Sequence, residues 1–446
     1  MVSGLSPKEA VKTALSLWVY STLMHWAKPL LRRKLQRRAK AEPLYGQCVE
    51  ERFGYYTSAS RGQWVWVHAV SLGETRTAGI LIKGLRAQFP GFKLLLTHGT
   101  ATGREEGQKL LQAGDVQVWQ PWDSPDVVTR FFEAFQPSVG LVLETEVWPN
   151  WVRCAQQFKI PLVLVNARFS QKSLRQALRW PSLMQPAYAG LRAVLAQTKD
   201  DADRLQTLGA RIEAITGNLK FDATPDAAQV SLGQAWREHL ARPVLMLASS
   251  REGEELSWLS AWQSYLKAAP SSSVQWLIVP RHPQRVNEVA QLLVSQGFEV
   301  SRRSSWRLQS DILTSTPSGK PVILLGDSLG EMALYYSFAD VALLGGSFEP
   351  LGGQNLIEAA ACACPIVMGP HTFNFAEASQ SAQAAGAAMR AENMALALEM
   401  AVALAQDAQL LKTQSDNAKK FASAHGGATL RTTEAVREWI TDSTVR

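Results

Sequence analysis

Short, uninterrupted apolar runs alternate with stretches of helical periodicity from residue 64 onward. The first half of the chain contains six such runs: WVWVHAV from 64, KLLLTHGT from 93, VQVWQP from 116, VGLVLETEVW from 139, PLVLVNAR from 161 and VLAQT from 194. From Pro243 the pattern starts again with VLMLASS, WLIVPRHP, VILLGDS, VALLGGS and PIVMGP. Strands that are apolar on both faces and separated by helices are typical of parallel sheets covered on both sides. The pattern therefore predicts an α/β protein with two doubly wound, Rossmann-like domains.

A small, polar, proline-bearing segment at 222–232 separates the two sets of runs and is predicted to be a linker. The chain has 446 residues, of which 46% are hydrophobic, which is enough for two separate cores. The predicted organisation is an anchor segment at 1–41, a first domain at 42–222, a second domain at 233–428 and a final segment at 429–446. A helix at about 429–440 is expected to cross back to the first domain, and the polar stretch 314–319 is expected to be a surface loop.

The N-terminal segment joins an apolar helical pattern to a run of basic residues. Residues 11–26 are mostly apolar but include Lys12 and His25, so the segment is shorter and more polar than the roughly 20 apolar residues that cross a bilayer. Apolar side chains recur at helical spacing at Leu17, Tyr20, Met24, Ala27 and Leu31. Seven Lys or Arg residues and no acid follow between 28 and 40, in a chain of formal charge +7. This predicts an interfacial helix on an anionic membrane surface. The alternative is a helix that packs on its own domain.

Polar residues and glycines follow the carboxyl ends of the predicted strands in both halves, which is where open parallel sheets bind ligands. In the first half these residues are Ser71, Gly73, Glu74, Glu144 and Arg168, and Lys220 lies at the end of that half. In the second half they are Arg281, His282, Gly326, Asp327, Gly346 and Ser347. A cleft between the two domains would bring these edges face to face.

Glu74 begins a predicted helix directly after the first strand. A helix N-terminus stabilises the anion of a carboxylate, and a carboxylate at the lip of a cleft can take a proton from a hydroxyl. General base is one interpretation, and a helix-capping glutamate without chemistry is the other. Glu144 and Glu146 in ETEVWPNW need a partner if they are buried, and Arg168 is the candidate. Acceptor binding and a structural ion pair both stay open for Glu144.

A glycine-rich segment between 326 and 375 is the strongest local signal. Gly345 and Gly346 follow a short apolar strand, and a second glycine pair opens a helix at Asn355. Such glycines let backbone amides approach a phosphate, and Glu358, one turn into the helix, is placed to accept hydrogen bonds from a ribose diol. Arg281 can hold a phosphate through its guanidinium fork, with a plain surface cation as the alternative for both Arg281 and Lys220. The segment predicts a nucleotide-sugar pocket, with an ordinary loop and a capped helix as the alternative.

Other classes of chemistry lack support in the sequence. The chain contains no HExxH motif and no GxxxxGK[ST] loop, and its four cysteines form neither a metal signature nor a disulfide framework. We predict no metal, no organic cofactor and no nucleic-acid partner.

Seven motifs resemble, in the same order over residues 64–375, those of the 3-deoxy-D-manno-octulosonic acid (Kdo) transferases of lipopolysaccharide biosynthesis. They are HAVSLGE, ETEVWPNW, NARFSQKS, PRHP, GDSLGE, GGSFEPLGGQNLIE and MGPHTFNF. The resemblance implies a GT-B fold and an inverting, metal-independent transfer of Kdo from CMP-Kdo to lipid IVA. It also implies attachment to the cytoplasmic face of the inner membrane.

The resemblance assigns roles to individual residues of this chain. Glu74 falls on the family's catalytic base, and the acceptor half at 42–222 would use Ser71, Gly73, Glu144, Arg168 and Lys220. The donor half at 233–428 would use Arg281, His282, Gly326, Asp327, Gly346, Ser347, Asn355 and Glu358. One departure is Gln354, which stands where many relatives read histidine. Glutamine cannot become cationic, so a role that needs a charged imidazole is not available here.

Two further functions are compatible with the same residues. One is another GT-B nucleotide-sugar enzyme, such as a UDP-sugar transferase or epimerase. The other is a non-enzymatic membrane scaffold in which the basic helix is the function. The motifs do not indicate the number of Kdo residues transferred, the acyl-chain preference or the oligomeric state.

Overall fold

The computed structural model of the chain describes residues 6–57, 62–269, 274–307 and 320–441, so the predicted loop at 314–319 lies outside the described residues. The backbone packs into two compact units. Unit 1 comprises Met1–Asp222 and Gly426–Arg446, and unit 2 comprises Ala223–His425. Each unit contains a seven-stranded sheet in which all strand pairs are parallel. The predicted α/β fold class is confirmed.

The strands of unit 1 are β1 (Trp64–His68), β2 (Lys93–His98), β3 (Val116–Trp119), β4 (Val139–Leu143), β5 (Leu162–Ala167), β6 (Ala193–Ala196) and β7 (Ile212–Ile215), in the order β3-β2-β1-β4-β5-β6-β7. The strands of unit 2 are β8 (Val244–Ser250), β9 (Gln275–Pro280), β10 (Glu299–Arg302), β11 (Val322–Leu325), β12 (Val341–Leu344), β13 (Ile366–Met368) and β14 (Ala388–Arg390), in the order β10-β11-β9-β8-β12-β13-β14. In both sheets the strand order reverses next to the unit's first strand, between β1 and β4 and between β8 and β12. These are the topological switch points at which such sheets bind ligands.

The helices of unit 1 are α1 (Pro7–Trp26), α2 (Lys28–Ala39), α3 (Leu72–Gln88), α4 (Ala101–Gln108), α5 (Pro125–Phe135), α6 (Pro149–Gln157), α7 (Gln171–Ala177), α8 (Pro181–Ala189) and α9 (Lys199–Thr207). Unit 2 contains α10 (Ala227–Glu238), α11 (Glu254–Ala268), α12 (Val286–Ser295), α13 (Met332–Phe338), α14 (Leu356–Ala361), α15 (Ala376–Ala384), α16 (Met394–Gln406) and α17 (Ala408–Ala424). The chain then returns to unit 1 with α18 (Ala428–Ala435) and α19 (Arg437–Thr441).

Both faces of the unit 1 sheet are covered. Trp64 and Trp66 of β1 pack into one core cluster, together with aromatic side chains of α5 and α6, and the alternate residues Val65 and Val67 pack into a second cluster with α3. Successive side chains of a strand point to opposite faces, so a strand buried on both sides reads as a continuous apolar run. This is why the central strands were recognisable in the sequence.

The secondary structure differs from the prediction in three respects. The edge strands β7, β10 and β14 were not predicted, because β7 alternates half-buried and exposed residues and β10 and β14 are short and partly polar. The predicted linker at 222–232 contains the first turns of α10, which Asp226 caps by accepting a hydrogen bond from the N–H of Gln229. The predicted final helix is broken into α18 and α19.

Helix α1 lies on unit 1 with the face that carries Tyr20 and Met24. The hydroxyl of Tyr20 donates to Asp123 at 2.7 Å, and the indole of Trp122 donates to the carbonyl of Met24 at 2.8 Å. The stripe that begins at Leu17 in the sequence analysis therefore faces the protein, and a different set of apolar side chains is exposed: Val11, Leu15, Trp18, Val19, Leu23, Trp26 and Leu30. No individual helix among residues 6–57, 62–269, 274–307 and 320–441 has the length and apolar composition to cross a membrane. Helix α16 and the helical segment 408–435 are together long and apolar enough, but they are bent by 105° relative to each other.

Candidate active site

Glu74 lies at the switch point of the unit 1 sheet, in the first turn of α3 and directly after β1. Ser71 caps this helix and accepts a hydrogen bond from the N–H of Glu74. The Glu74 carboxylate in turn accepts from the N–H of Val70 at 2.9 Å and from the hydroxyl of Ser71 at 3.0 Å. Glu74 therefore makes the contacts of a helix-capping residue. Its side chain is half-buried at the carboxyl edge of the sheet.

The surroundings of Glu74 favour its neutral form. The pKa of Glu74 is raised to about 7: burial is the main cause, Glu144 and Glu146 add to it, and the hydrogen bonds from Val70 and Ser71 act in the opposite direction. A carboxylate with a pKa near the working pH is suited to general base catalysis, because it can be ionised and still hold a proton once it has taken one.

Glu144 follows β4, the neighbour of β1, and is held in a left-handed backbone conformation with φ of +57°. Such a conformation costs free energy for a residue other than glycine and is often found at functional sites. The Glu144 carboxylate forms an ion pair with Lys220 at 3.0 Å, in which both side chains are mostly buried. The expected partner, Arg168, donates its backbone N–H to the Glu144 carbonyl oxygen at 3.4 Å. Lys220 therefore supplies a positive charge to Glu144 from within the same unit.

Asn166 holds the segment that leads to Lys220. This side chain is fully buried at the end of β5, and its Oδ1 accepts from the N–H of Leu219 at 3.0 Å. Its own backbone is also left-handed, with φ of +51°. No sequence signal marks this role of Asn166, because the bond joins residues 53 positions apart.

A third carboxylate, Glu146, lies in the same segment and is half-buried. It accepts a hydrogen bond from the indole of Trp148 at 2.8 Å, and burial together with Glu144 raises the pKa of Glu146. Gly73 lies in the first turn of α3 and is exposed, and a Cβ atom built there would meet no atom within 4 Å. Ser71, Gly73, Glu74, Glu144 and Lys220 therefore share one edge of unit 1, with open space at Gly73.

Loops that contain glycine form the carboxyl edge of the unit 2 sheet. A Cβ atom at Gly345 would lie 2.3 Å from the Ser249 carbonyl oxygen, so only glycine allows β12 to pass so close to β8. The next residue, Gly346, has φ of +69° and accepts from the N–H of Gly353 at 2.7 Å. Ser347 is fully buried, and its hydroxyl donates to the Leu344 carbonyl and accepts from the N–H of Gly369. The Ser347 side chain thus holds two loops together, and its predicted contact with the donor stays a prediction.

Arg281 follows β9, and its N–H donates to the carbonyl of Ser250 at 2.9 Å. The guanidinium Nε of Arg281 donates to Oε1 of Gln354 at 3.1 Å. Gln354 therefore supports the arginine as a neutral acceptor. Partial burial and the cations Arg251 and Arg281 lower the pKa of the neighbouring His282, which keeps its imidazole neutral.

The remaining predicted donor residues are held by local contacts. Asn355 caps α14, its Oδ1 accepting from the N–H of Ile357, and its amide donates to Glu358 at 3.1 Å. Gly326 is packed against the ring of Tyr335, and Asp327 accepts from the N–H and the hydroxyl of Ser304 at 2.8 and 2.6 Å. These contacts fix the orientation of the side chains, and the roles of these residues in donor binding stay predictions.

Glu254 is the structural residue of this edge that sequence reasoning missed. It is fully buried at the start of α11, and its carboxylate accepts from the N–H groups of Arg251, Gly346 and Phe348 at 2.8, 2.8 and 3.1 Å. Its neighbour Glu255 is also buried and pairs with both terminal nitrogens of Arg285. The sequence REGEE is typical of an exposed, acidic helix start. The position of Glu254 shortly after β8 is the one sequence feature that indicates a role for it.

No group of three or more His, Cys, Asp or Glu side chains in the described parts of the chain is arranged to hold a metal ion. The four cysteines are free thiols.

Comparisons with known proteins agree with the motifs. Residues 47–223 match the family described as 3-Deoxy-D-manno-octulosonic-acid transferase (kdotransferase). The chain is 42% identical to the 3-deoxy-D-manno-octulosonic acid transferase of Bordetella pertussis over 95% of its own length and 99% of the relative's, and 32% identical to the Haemophilus influenzae enzyme of the same name over 86% and 89%.

The fold also has solved counterparts. The structure of UDP-GlcNAc 2-epimerase from Neisseria meningitidis matches with a TM-score of 0.56 at 17% identity, covering 84% of this chain and all of that one. At this identity the likeness shows the fold alone, and it confirms the predicted GT-B architecture. The sequence relationship, by contrast, spans nearly the whole chain. The protein is therefore a glycosyltransferase and belongs to the 3-deoxy-D-manno-octulosonic acid transferase family.

Proposed function

We propose that this chain transfers Kdo from CMP-Kdo to lipid IVA, with inversion at the anomeric carbon and with Glu74 as general base. The observation that carries the proposal is the Glu74 carboxylate itself. It lies half-buried at the sheet edge where Rossmann-like units bind ligands, and burial places its pKa at about 7. In the reaction it would take the proton of an acceptor hydroxyl while the hydroxyl oxygen bonds to the anomeric carbon of Kdo and the bond from that carbon to CMP breaks.

The acceptor half of the proposal uses unit 1. Lys220 and Glu144 form a mostly buried ion pair beside Glu74, and Glu146 adds a second acceptor of hydrogen bonds. Together they offer both signs of charge to a sugar phosphate. The open space at Gly73 leaves room for a ligand against the first turn of α3.

The donor half of the proposal uses unit 2. Arg281, held by Gln354, would bind the phosphate of CMP, and Glu358 would accept hydrogen bonds from the ribose. The departing cytidylate carries one phosphate, whose developing charge an arginine can stabilise. Transfer is accordingly proposed to proceed without a metal, which predicts full activity after treatment with a chelator.

Mass spectrometry of the products formed from lipid IVA and CMP-Kdo by the purified chain tests the function directly. The proposal predicts a mass increase of one or more Kdo residues and release of CMP. Lipid IVA that returns unmodified from an enzyme preparation shown to be folded would contradict it. The same experiment counts the Kdo residues.

Competition between nucleotides separates the proposal from another GT-B enzyme. We expect CMP to protect the chain against thermal unfolding at concentrations at which UDP does not. Stronger protection by UDP would favour the UDP-sugar alternative. A non-enzymatic scaffold would release no CMP in the presence of acceptor.

We further propose that α1 and α2 attach the enzyme to an anionic membrane surface, on the cytoplasmic face of the inner membrane. The polar contacts of α1 point into unit 1, and large apolar side chains, among them Trp18 and Trp26, are 64% and 76% exposed. Of the basic residues in α2, Arg32 pairs with Glu50, whereas Arg33, Lys34 and Arg37 are exposed. An apolar stripe beside exposed cations is typical of an interfacial helix.

Point variants test the attachment better than a chain starting at Glu42, because truncation would also remove the bonds from α1 to Asp123 and from α2 to Asp126. The double variant Trp18→Ser with Trp26→Ser should lose binding to vesicles containing anionic lipid. The matched control is Leu256→Ser with Val294→Ser, which changes two side chains of unit 2 that are both 58% exposed. Equal vesicle binding by the two double variants would contradict the proposed surface.

A further inference from the structure

The loop between β3 and α5 joins α1 to the start of α6 through a buried carboxylate. Asp123 is 2% exposed and accepts three hydrogen bonds. One comes from the hydroxyl of Tyr20 in α1 at 2.7 Å, and two come from the N–H groups of Asn150 and Trp151 in α6 at 3.3 and 3.0 Å. A buried carboxylate is costly unless hydrogen bonds compensate for the lost water, so these donors must stay in place.

A second buried link runs beside the first. The hydroxyl of Ser21 in α1 donates to Oδ1 of Asn150 at 2.8 Å, and the Asn150 amide donates to the carbonyl oxygen of Asp123 at 2.9 Å. Asn150 is 1% exposed, so each of its side-chain polar atoms is satisfied by protein. Helix α1 is therefore hydrogen-bonded to Asp123, which accepts from the first turn of α6, and to Asn150 within that turn.

The start of α6 is also the end of the acidic segment. Trp148 is the residue before the helix, and its indole donates to Glu146 at 2.8 Å. Glu144 begins the segment at the end of β4. A shift of the α6 N-terminus would move Trp148, and with it the carboxylate of Glu146, because a few covalent bonds separate them.

We propose that Tyr20 and Asp123 are positioning residues for the acceptor site, so that the helix assigned to the membrane is also part of the scaffold that holds Glu144 and Glu146. The inference rests on the proposed function in that it takes those carboxylates as acceptor-binding groups. The polar contacts of α1 are separate from its exposed apolar stripe: one face holds the acidic segment and the other is available to lipid.

The variant Tyr20→Phe removes one hydroxyl and keeps the ring. In detergent micelles, where vesicle binding plays no part, we expect it to raise the KM for lipid IVA by up to about tenfold, because the free energy of the lost hydrogen bond limits how far the acidic segment is disturbed. The KM for CMP-Kdo should stay at the parent value. The matched control is Tyr56→Phe, because the Tyr56 hydroxyl is buried in unit 1 and has no hydrogen-bond partner among the residues that the structure describes. Ser21→Ala should act in the same direction as Tyr20→Phe, with a smaller effect.

Hydrogen exchange provides a readout that does not depend on turnover. Amides of residues 144–157 should exchange faster in Tyr20→Phe than in Tyr56→Phe. Two results would overturn the inference: a lipid IVA KM and an exchange pattern equal to those of the control, or KM values for donor and acceptor that rise together. If the parent itself transfers no Kdo, the proposed function fails, and the exchange result still decides whether α1 positions the acidic segment.

Discussion

Glu74 in unit 1 and Glu254 in unit 2 occupy comparable positions but differ in burial and in hydrogen bonding. Each lies at the start of the helix that follows the first strand of its sheet, at the switch point of the strand order. Glu254 is fully buried and accepts three backbone N–H groups from two loops. Glu74 is half-buried and accepts one backbone N–H and one hydroxyl from its own turn. The same residue type at the same place is thus structural in one unit and available for chemistry in the other.

The number and origin of the donors explain the difference. Glu254 binds loops that are distant in sequence, so its removal would release Gly346 and Phe348 from their positions. The partners of Glu74 are only three and four residues away, so they persist in the helix cap without it. Burial, with Glu144 and Glu146, raises the pKa of Glu74, and burial raises the pKa of Glu254 as well, so the two residues differ in their donors and not in the direction of the pKa shift. A carboxylate that contributes little to packing and is hard to ionise is typical of a catalytic group.

The largest effect is expected at Glu74. Replacement by Gln should lower kcat by about 10² to 10⁴-fold, the usual contribution of a general base. Because the folded state raises the pKa of Glu74 above that of the unfolded chain, ionising it costs stability as the pH rises from 4.5 through about 7. The Gln variant should therefore be at least as stable as the parent at pH 8, as measured by denaturant unfolding. A fully active Gln variant would remove Glu74 from the mechanism.

Glu254→Gln is the opposite test. It should lower the free energy of unfolding of unit 2 by about 3 kcal/mol, because buried N–H groups lose a charged acceptor. CMP affinity should fall with it, since the loop of Gly346 and Phe348 is released. Calorimetric unfolding and CMP titration measure the two quantities. A stable variant that binds CMP normally and loses only kcat would show that the two glutamates do not differ as described.

The sequence predicts the central strands and the residues at their ends because both depend on local signals. Eleven of the strands are apolar runs, and their carboxyl ends carry the candidate residues by the geometry of a parallel sheet. Glu74 was found in this way. The edge strand β7 was missed because its residues are at most half-buried, so no continuous apolar run marks it.

Partners across the fold could not be predicted. Lys220 pairs with Glu144 over 76 residues, and Gln354 with Arg281 over 73, and neither spacing has a sequence signal. The face of α1 that packs on unit 1 could not be predicted for a related reason. Tyr20 and Met24 look as apolar as Trp18 and Trp26, and only the position of Asp123 in the folded unit decides which set turns inward.

Gly73 provides a smaller test of the unit 1 edge. Because a Cβ atom there would meet nothing and the residue lies in a helix, Gly73→Ala should keep or raise stability, by up to about 1 kcal/mol. If the acceptor occupies this space, kcat/KM for lipid IVA should fall roughly tenfold or more through displacement of the sugar. Gly91→Ala is a comparison for kinetics alone, since that glycine also has an open surrounding and lies in the turn before β2, but its φ of +93° makes alanine costly for stability there. Unchanged kinetics in Gly73→Ala would place the acceptor elsewhere.

The smallest expected effects are two opposite shifts of the pH profile. With Glu74 as base, kcat/KM should rise with pH through about 7, because only the ionised carboxylate accepts the proton. Glu144→Gln removes a negative charge that raises the pKa of Glu74, so the midpoint should move down by about one unit or less. Lys220→Met removes the cation that balances Glu144, so the midpoint should move up. Because both variants break the same ion pair, a purely structural role would move the two midpoints in the same direction or not at all, whereas an electrostatic role of this pair on Glu74 requires them to separate.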